Sequence, residues 1–466
     1  MTRSFASPQP NIPGRGILAG YSVRFWGLVV AIGVATGLAA AGFIALLNGI
    51  ERLAWGRPAS QFLAAVTAAS PLRDLLALLA AGVIAGVGAL LVRRLRGSGG
   101  GEISEALWLQ GGRLELPASL VRGTLSIVTV GLGASLGREA APQLAGAAFA
   151  SELCDRSRAI PPAQRRLLVA AGAGAGMAAV YNVPLGGALF ALEVLLGSLA
   201  LPLVLPALLT SLLATAVAWI VIPTHATYAV PIYSVSARQI VWAALIGPLA
   251  GLTAVLWVRL VSVANRSRPT RRTLRVLAPI VILGALGALA IQYPQLLGNG
   301  KELAQLAFVG KLSVGLLAVL FVLKPLVTAA CLGSGAPGGL FTPTLVLGVL
   351  FGGLLGHAWG VIWPGSPIGS YAVIGGGAIL AAAMQGPLSA TVLMLELTHS
   401  TGSLTVPLLL VRGLAWSVVD DDDVAELLRR QPGATVVEVE GAGHSIQGDR
   451  PLELAGILAD FLFPDG

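Results

Sequence analysis

Residues 182–194 read NVPLGGALFALEV, and residues 385–397 read QGPLSATVLMLEL. Both carry Pro-Leu, seven intervening residues and then a glutamate, with Ala-Ala at the same offset upstream; Pro184 and Pro387 stand 203 residues apart. Apolar segments have few polar letters to share by chance, so the match reads as an internal repeat rather than common composition. Two related halves with short segments interrupted by Gly or Pro suit a transport fold, whose site lies where broken helices meet near the membrane midplane.

Composition supports that reading. The 466 residues are 55% hydrophobic and 11% charged and include 60 glycines, which excludes an ordinary soluble domain and implies a polytopic, all-α membrane protein. Runs approaching the about 20 residues of a spanning helix cover Leu28 to Leu47, Leu75 to Val92, Leu201 to Ile222, Leu277 to Ile291 and Leu312 to Cys331. The first run is too long for a cleaved signal, and Arg3, Arg15 and Arg24 precede it, so the N-terminus is expected in the cytoplasm and the protein in the inner membrane. Arg93, Arg94 and Arg96, then Arg165 and Arg166, then the arginines from Arg266 to Arg275 mark further cytoplasmic loops. The net charge of +8 is thus a matter of topology; nucleic-acid binding would need a solvated basic face. Cys154 and Cys331 sit in separate segments, and no histidine has a partner at ligand spacing, so neither metal nor cofactor is expected. Trp26, Trp55 and Trp108 suit an interfacial belt.

Residues 133–143, GASLGREAAPQ, set one arginine and one glutamate among small residues. GASLG also fits the serine-hydrolase elbow, which would make Ser135 a nucleophile. The polar pair fits better with two other glycine-rich stretches, GSGGGEI at Gly97 and GAPGGLFTP at Gly335. Each precedes an apolar run and can open a helix within the membrane, leaving its first N–H groups in need of an acceptor. Three converging helix N-termini, each with about half a positive charge, would hold an anion loosely enough to release it.

In order and spacing these stretches resemble the CLC chloride channels and chloride/proton antiporters, whose patterns are GSGIP, GREGP and GxFxP; the resemblance runs from about residue 17 to 405. It implies a CLC-type inverted repeat with broken helices, a homodimer in the lipid bilayer, and chloride as the transported partner. It further implies an anion held by Ser98 and Gly99 and by the backbone N–H groups of Leu340 and Phe341, with Arg138 supporting nearby backbone. Glu139 becomes the gate, its carboxylate competing with chloride for one place. The chain departs from the family at Ala140 and Ala141 after the gate, at Gly100 and Gly101 after Ser98, and at Val194, where antiporters carry a second glutamate as a proton relay. A valine carries no proton, so the expectation is a passive, voltage- or pH-gated chloride channel, with chloride/proton antiport as the alternative. Glu193 and Glu396 are expected to tie helix ends.

The end of the chain reads differently: 11 of the 22 acidic residues fall between Asp420 and Asp465. A charged helix, a β-rich run at Val436 and an amphipathic helix follow one another there, and EGAGHS with His444 resembles the end of an α/β-hydrolase. The tyrosine-bearing last helix of the CLC family is missing from this reading. A hydrolase would still need a sheet to carry Ser135, which a membrane segment cannot supply; the serine-hydrolase reading is the remote alternative, and no enzyme is expected. The resulting organisation is a cytoplasmic segment 1–20, a first membrane repeat 21–222, a connecting loop 223–235, a second repeat 236–410 and a soluble α/β tail 411–466.

Overall fold

The computed structural model describes residues 21–56, 61–95, 102–157, 160–234, 236–398, 409–414, 421–430, 435–442 and 449–462. The chain divides into two compact units, Met1–Pro231 with Ser236–Ser400, and Ile232–Val235 with Thr401–Gly466.

The first unit is helical. Its first half runs α1 (Val23–Trp55), α2 (Phe62–Thr67), α3 (Pro71–Leu95), α4 (Ile103–Leu109), α5 (Leu116–Gly131), α6 (Ala140–Ser157), α7 (Pro162–Tyr181), α8 (Pro184–Leu189) and α9 (Leu201–Ala218). The second runs α10 (Ala237–Arg266), α11 (Arg272–Ala290), α12 (Lys301–Phe308), α13 (Val314–Ser334), α14 (Phe341–Ile362), α15 (Ile368–Met384) and α16 (Pro387–Thr398). Among the described residues, seven helices are long and apolar enough to cross a membrane: α1, α3, α9, α10, α11, α13 and α14. The apolar runs reveal five of these. In α10 the run is broken by Gly247, Pro248 and Arg259, and in α14 by five glycines and His357, so neither stands out as an uninterrupted stretch.

The repeat is built into the backbone. Asn182 after α7 and Gln385 after α15 are the two non-glycine residues with positive φ among those described, at 58° and 53°. Each closes its helix through its own N–H, bonded to Ala178 O and to Ala381 O, and a proline then opens α8 or α16, where its missing N–H and fixed φ cost nothing. The two glutamates exchange caps. Glu396 at the end of α16 accepts the N–H groups of Leu185 (3.0 Å) and Gly186 (2.7 Å) in α8. Glu193, on the π-helical segment Phe190–Leu195 that continues α8, accepts those of Leu388 (3.2 Å) and Ser389 (2.6 Å) in α16. Orphan donors of the two helix starts are satisfied reciprocally. Helix pairs match as well: Gly146 of α6 meets Gly172 of α7, and Gly348 of α14 meets Gly375 of α15, each so close that an added Cβ would overlap the partner backbone carbonyl. Small residues at these crossings let the backbones approach where hydrocarbon gives no hydrophobic drive.

Two expectations change here. Trp55 is 3% exposed, with its indole N–H donated to Gly131 O at 2.9 Å, so it is a core residue and not part of an interfacial belt. In the second unit the stretch placed at the end of the second membrane repeat forms a strand instead, β1 (Leu409–Gly413), which pairs in parallel with β2 (Thr435–Val439). The boundary placed between residues 410 and 411 therefore falls inside β1. Helices α17 (Asp421–Arg430) and α18 (Pro451–Leu462) complete this unit, and Val439 and Ala442 are buried against Leu454 and Ile457. His444 lies outside the described residues.

Candidate anion site

The site forms where the two glycine-rich loops of the repeat touch. Beyond α5 the chain turns at Gly133 (φ 110°), and Gly137 and Gly339 form an isolated antiparallel bridge, each N–H bonded to the other carbonyl at 2.7 Å. A helix begins three residues after Gly137 and two after Gly339: Ala140 opens α6 and Phe341 opens α14. The bridge therefore brings two helix N-termini from opposite halves to one point, the arrangement that favours negative charge.

Glu139 supplies the charge. It is 2% exposed, and its carboxylate lies across the paired glycines, where an added Cβ on Gly137 or Gly339 would overlap its oxygens. Oε1 accepts the Phe341 N–H at 2.7 Å. Oε2 accepts the Tyr181 hydroxyl at 2.9 Å and the Thr342 hydroxyl at 3.3 Å. The carboxylate thus occupies a seat with three donors, one from the backbone and two from neutral side chains. Leu340 immediately precedes α14, and its carbonyl accepts Thr344 N–H at 2.9 Å.

Arg138 points elsewhere. Its guanidinium lies over the Tyr181 ring, 5.4 Å from the centroid, and it lines a separate small pocket with Glu51, Lys301 and Glu302. Glu302 accepts the N–H groups of Phe62 and Leu63 at the start of α2. Burial, with Arg138 beside it, pulls the Lys301 ammonium down to about 8, against the opposing pull of Glu302 and Glu51. On another side, a cavity of about 360 Å³ is lined by Arg93, Arg122, Arg268 and Arg275 and by the loop Ser334–Gly338 that leads into α14. Glu102 also lines it and pairs with Arg122 at 2.6 Å, and Arg93, Arg268 and Arg275 belong to clusters expected in cytoplasmic loops.

The chain matches the family described as "Voltage gated chloride channel" over residues 81–420. The chain belongs to the CLC family. A protein of Ralstonia nicotianae named "Putative chloride channel protein ClcB-like" is 34% identical over 391 residues, which cover 81% of this chain and 90% of that one. The "H(+)/Cl(-) exchange transporter ClcA" of Vibrio parahaemolyticus is 32% identical over 312 residues, 65% of each chain. The crystal structure of a slow cyanobacterial Cl−/H+ antiporter superposes with a TM-score of 0.71 at 21% identity, covering 82% of this chain and 91% of that one; at that identity it supports the fold.

CLC proteins are membrane transporters and channels, not enzymes. The hydrolase likeness of the tail is not borne out by these relatives. Ser135 is fully buried, its Oγ 3.2 Å from Thr328 Oγ1, and it follows helix α5 rather than a strand, so GASLG is no elbow.

Of the residues expected at the CLC site, Glu139 and Phe341 meet and Leu340 adjoins them, Arg138 turns its guanidinium to the Tyr181 ring, and Ser98 and Gly99 lie outside the described residues. Val194, on the π-helical segment, packs against Gly386. Tyr181 and Thr342 escaped the sequence reading. Tyr181 directly precedes NVPLGG and Thr342 lies within GLFTP, so each is a lone hydroxyl at a motif edge; nothing in the spacing tells that both face Glu139.

Proposed function

We propose that this protein carries chloride across the inner membrane, with Glu139 as a gate whose seat chloride and carboxylate share in turn, and that chloride movement is coupled to protons. The observation that carries the reading is the three-donor seat of the Glu139 carboxylate. An ionised carboxylate fills it and blocks the anion; a protonated one accepts poorly and yields it, so one place exchanges a chloride for a proton-linked movement. Support for coupling over the passive channel expected from Val194 comes from the exchange transporter among the relatives at 32% identity. Val194 then makes the coupling loose rather than absent, because no acid stands at the relay position. Glu193 beside it is engaged as a helix cap by three donors, the third being the Ser389 hydroxyl at 2.6 Å.

Protein reconstituted in liposomes tests this. An outward chloride gradient should drive protons inward against their own gradient, and Glu139→Gln should abolish proton movement while chloride still flows. Chloride flux with no proton movement in the unaltered protein would return the passive channel. A homodimer with a cytoplasmic N-terminus is proposed in the same membrane, and subunit counting by photobleaching of single labelled complexes checks it.

A further inference from the structure

We infer that the hydroxyls of Tyr181 and Thr342 bind the transported anion once the Glu139 carboxylate has left, and that this pair sets which anions the seat accepts. The inference deepens the gate reading and rests on it.

Tyr181 and Thr342 are 1% and 0% exposed. The phenol cannot swing aside. Its ring meets Phe341 at 5.3 Å between centroids and the Arg138 guanidinium lies over it at 5.4 Å, while the Tyr181 backbone carbonyl is held by the Thr227 hydroxyl at 2.6 Å. Thr342 sits in the first turn of α14, and its hydroxyl touches the Tyr181 hydroxyl.

With the carboxylate withdrawn, the two hydroxyls can satisfy each other only in part: one donates, and the other keeps its proton without an acceptor. The Phe341 N–H is orphaned as well. Buried donors without acceptors are costly, so the vacated seat calls for a species that accepts from at least two directions and fits between glycines. A monatomic anion does this. Directed O–H and N–H donors stand in for the hydration shell of a compact, strongly hydrated anion, whereas a diffuse, weakly hydrated one gains less from each. The pair therefore favours chloride over thiocyanate, which a seat made only of backbone would do less well.

The test uses full-length protein in liposomes, measuring chloride and thiocyanate flux in the unaltered protein, in Tyr181→Phe and in Thr342→Val, with chloride affinity by titration calorimetry in a Glu139→Ala background. Tyr181→Phe should lower the chloride-to-thiocyanate flux ratio by about tenfold, the usual scale for one buried hydrogen bond to a charge. Thr342→Val should lower it by less, given the longer contact, and the double variant should fall short of the product because both hydroxyls share one acceptor. An unchanged ratio and unchanged chloride affinity in both variants, each monodisperse in size-exclusion chromatography, overturns the proposal. If Tyr181→Phe fails to fold, Thr342→Val decides by the same two readings. The gate reading fails separately, when Glu139→Gln keeps the pH dependence of chloride flux; a ratio that still falls in the hydroxyl variants would then leave the anion site standing without its gate.

Discussion

The Glu139 carboxylate, which we propose as the gate, is held by three donors in a place where an unpaired charge would be expensive. Lowering the pH protonates it and weakens its hold on donors that only an acceptor can satisfy, so chloride flux should rise as pH falls. Glu139→Gln removes the charge at every pH; flux at neutral pH should increase about tenfold, equivalent to ~1.4 kcal/mol in the balance between filled and vacated seat, and its pH profile should become flat. Flux measured between acid and neutral pH in liposomes checks this, and a profile like that of the unaltered protein would reject Glu139 as gate. Glycine contributes at the same scale. A Cβ at Gly339 overlaps the carboxylate itself, so Gly339→Ala should push Glu139 out of its seat and raise neutral-pH flux. In a Glu139→Ala background the same change should have little further effect, since the clashing group is gone. A flux increase of equal size in both backgrounds would show that Gly339 acts on something other than the carboxylate.

At the scale of elements, the short helices α8 and α16 hold each other by their glutamates. Each carboxylate accepts two backbone N–H groups that have no partner inside their own helix. Hydrogen bonds to a charged group contribute about 1.5–3 kcal/mol each when buried; these are part-exposed, so Glu396→Ala should cost about 1–2 kcal/mol. Glu396→Gln, which keeps one acceptor, should cost less. Thermal unfolding in detergent measures both, and a Glu396→Ala midpoint equal to that of the unaltered protein would mean that Glu396 caps nothing. The sequence makes this pair legible: Pro-Leu followed by seven residues and a glutamate, occurring twice, gave both the repeat and a tying role for Glu193 and Glu396. It does not tell which helix each glutamate caps. That the cap is reciprocal follows from the antiparallel placement of α8 and α16, a matter of packing between segments 203 residues apart.

Across the whole molecule, the proposed exchange needs a proton route linked to the chloride route, and Val194 stands at the position where CLC antiporters are expected to carry an acid. Val194→Glu should tighten the coupling, raising the number of protons moved per chloride by about twofold or more while leaving chloride flux in place. Parallel recording of chloride and proton fluxes gives the ratio; an unchanged ratio would place the proton route elsewhere in the protein. The new carboxylate must fit against Gly386, which Val194 already contacts, so retention of a monodisperse peak belongs to the experiment.

The sequence by itself determined the class, the repeat and the position of the intramembrane acid proposed as gate, because each rests on information that is local or periodic. Apolar runs mark spanning helices, glycine before an apolar run marks a helix start inside the membrane, and an acid in such a place is retained only where it is used. Broken runs hid α10 and α14. What encloses Glu139 was decided only by the tertiary structure. Gly137 meets Gly339, and Tyr181 and Thr342 reach one carboxylate from helices of opposite halves. Such contacts depend on how helices cross, and crossings are set by close packing at glycine pairs such as Gly146 with Gly172, where what counts is a partner distant in the chain rather than any neighbour along it.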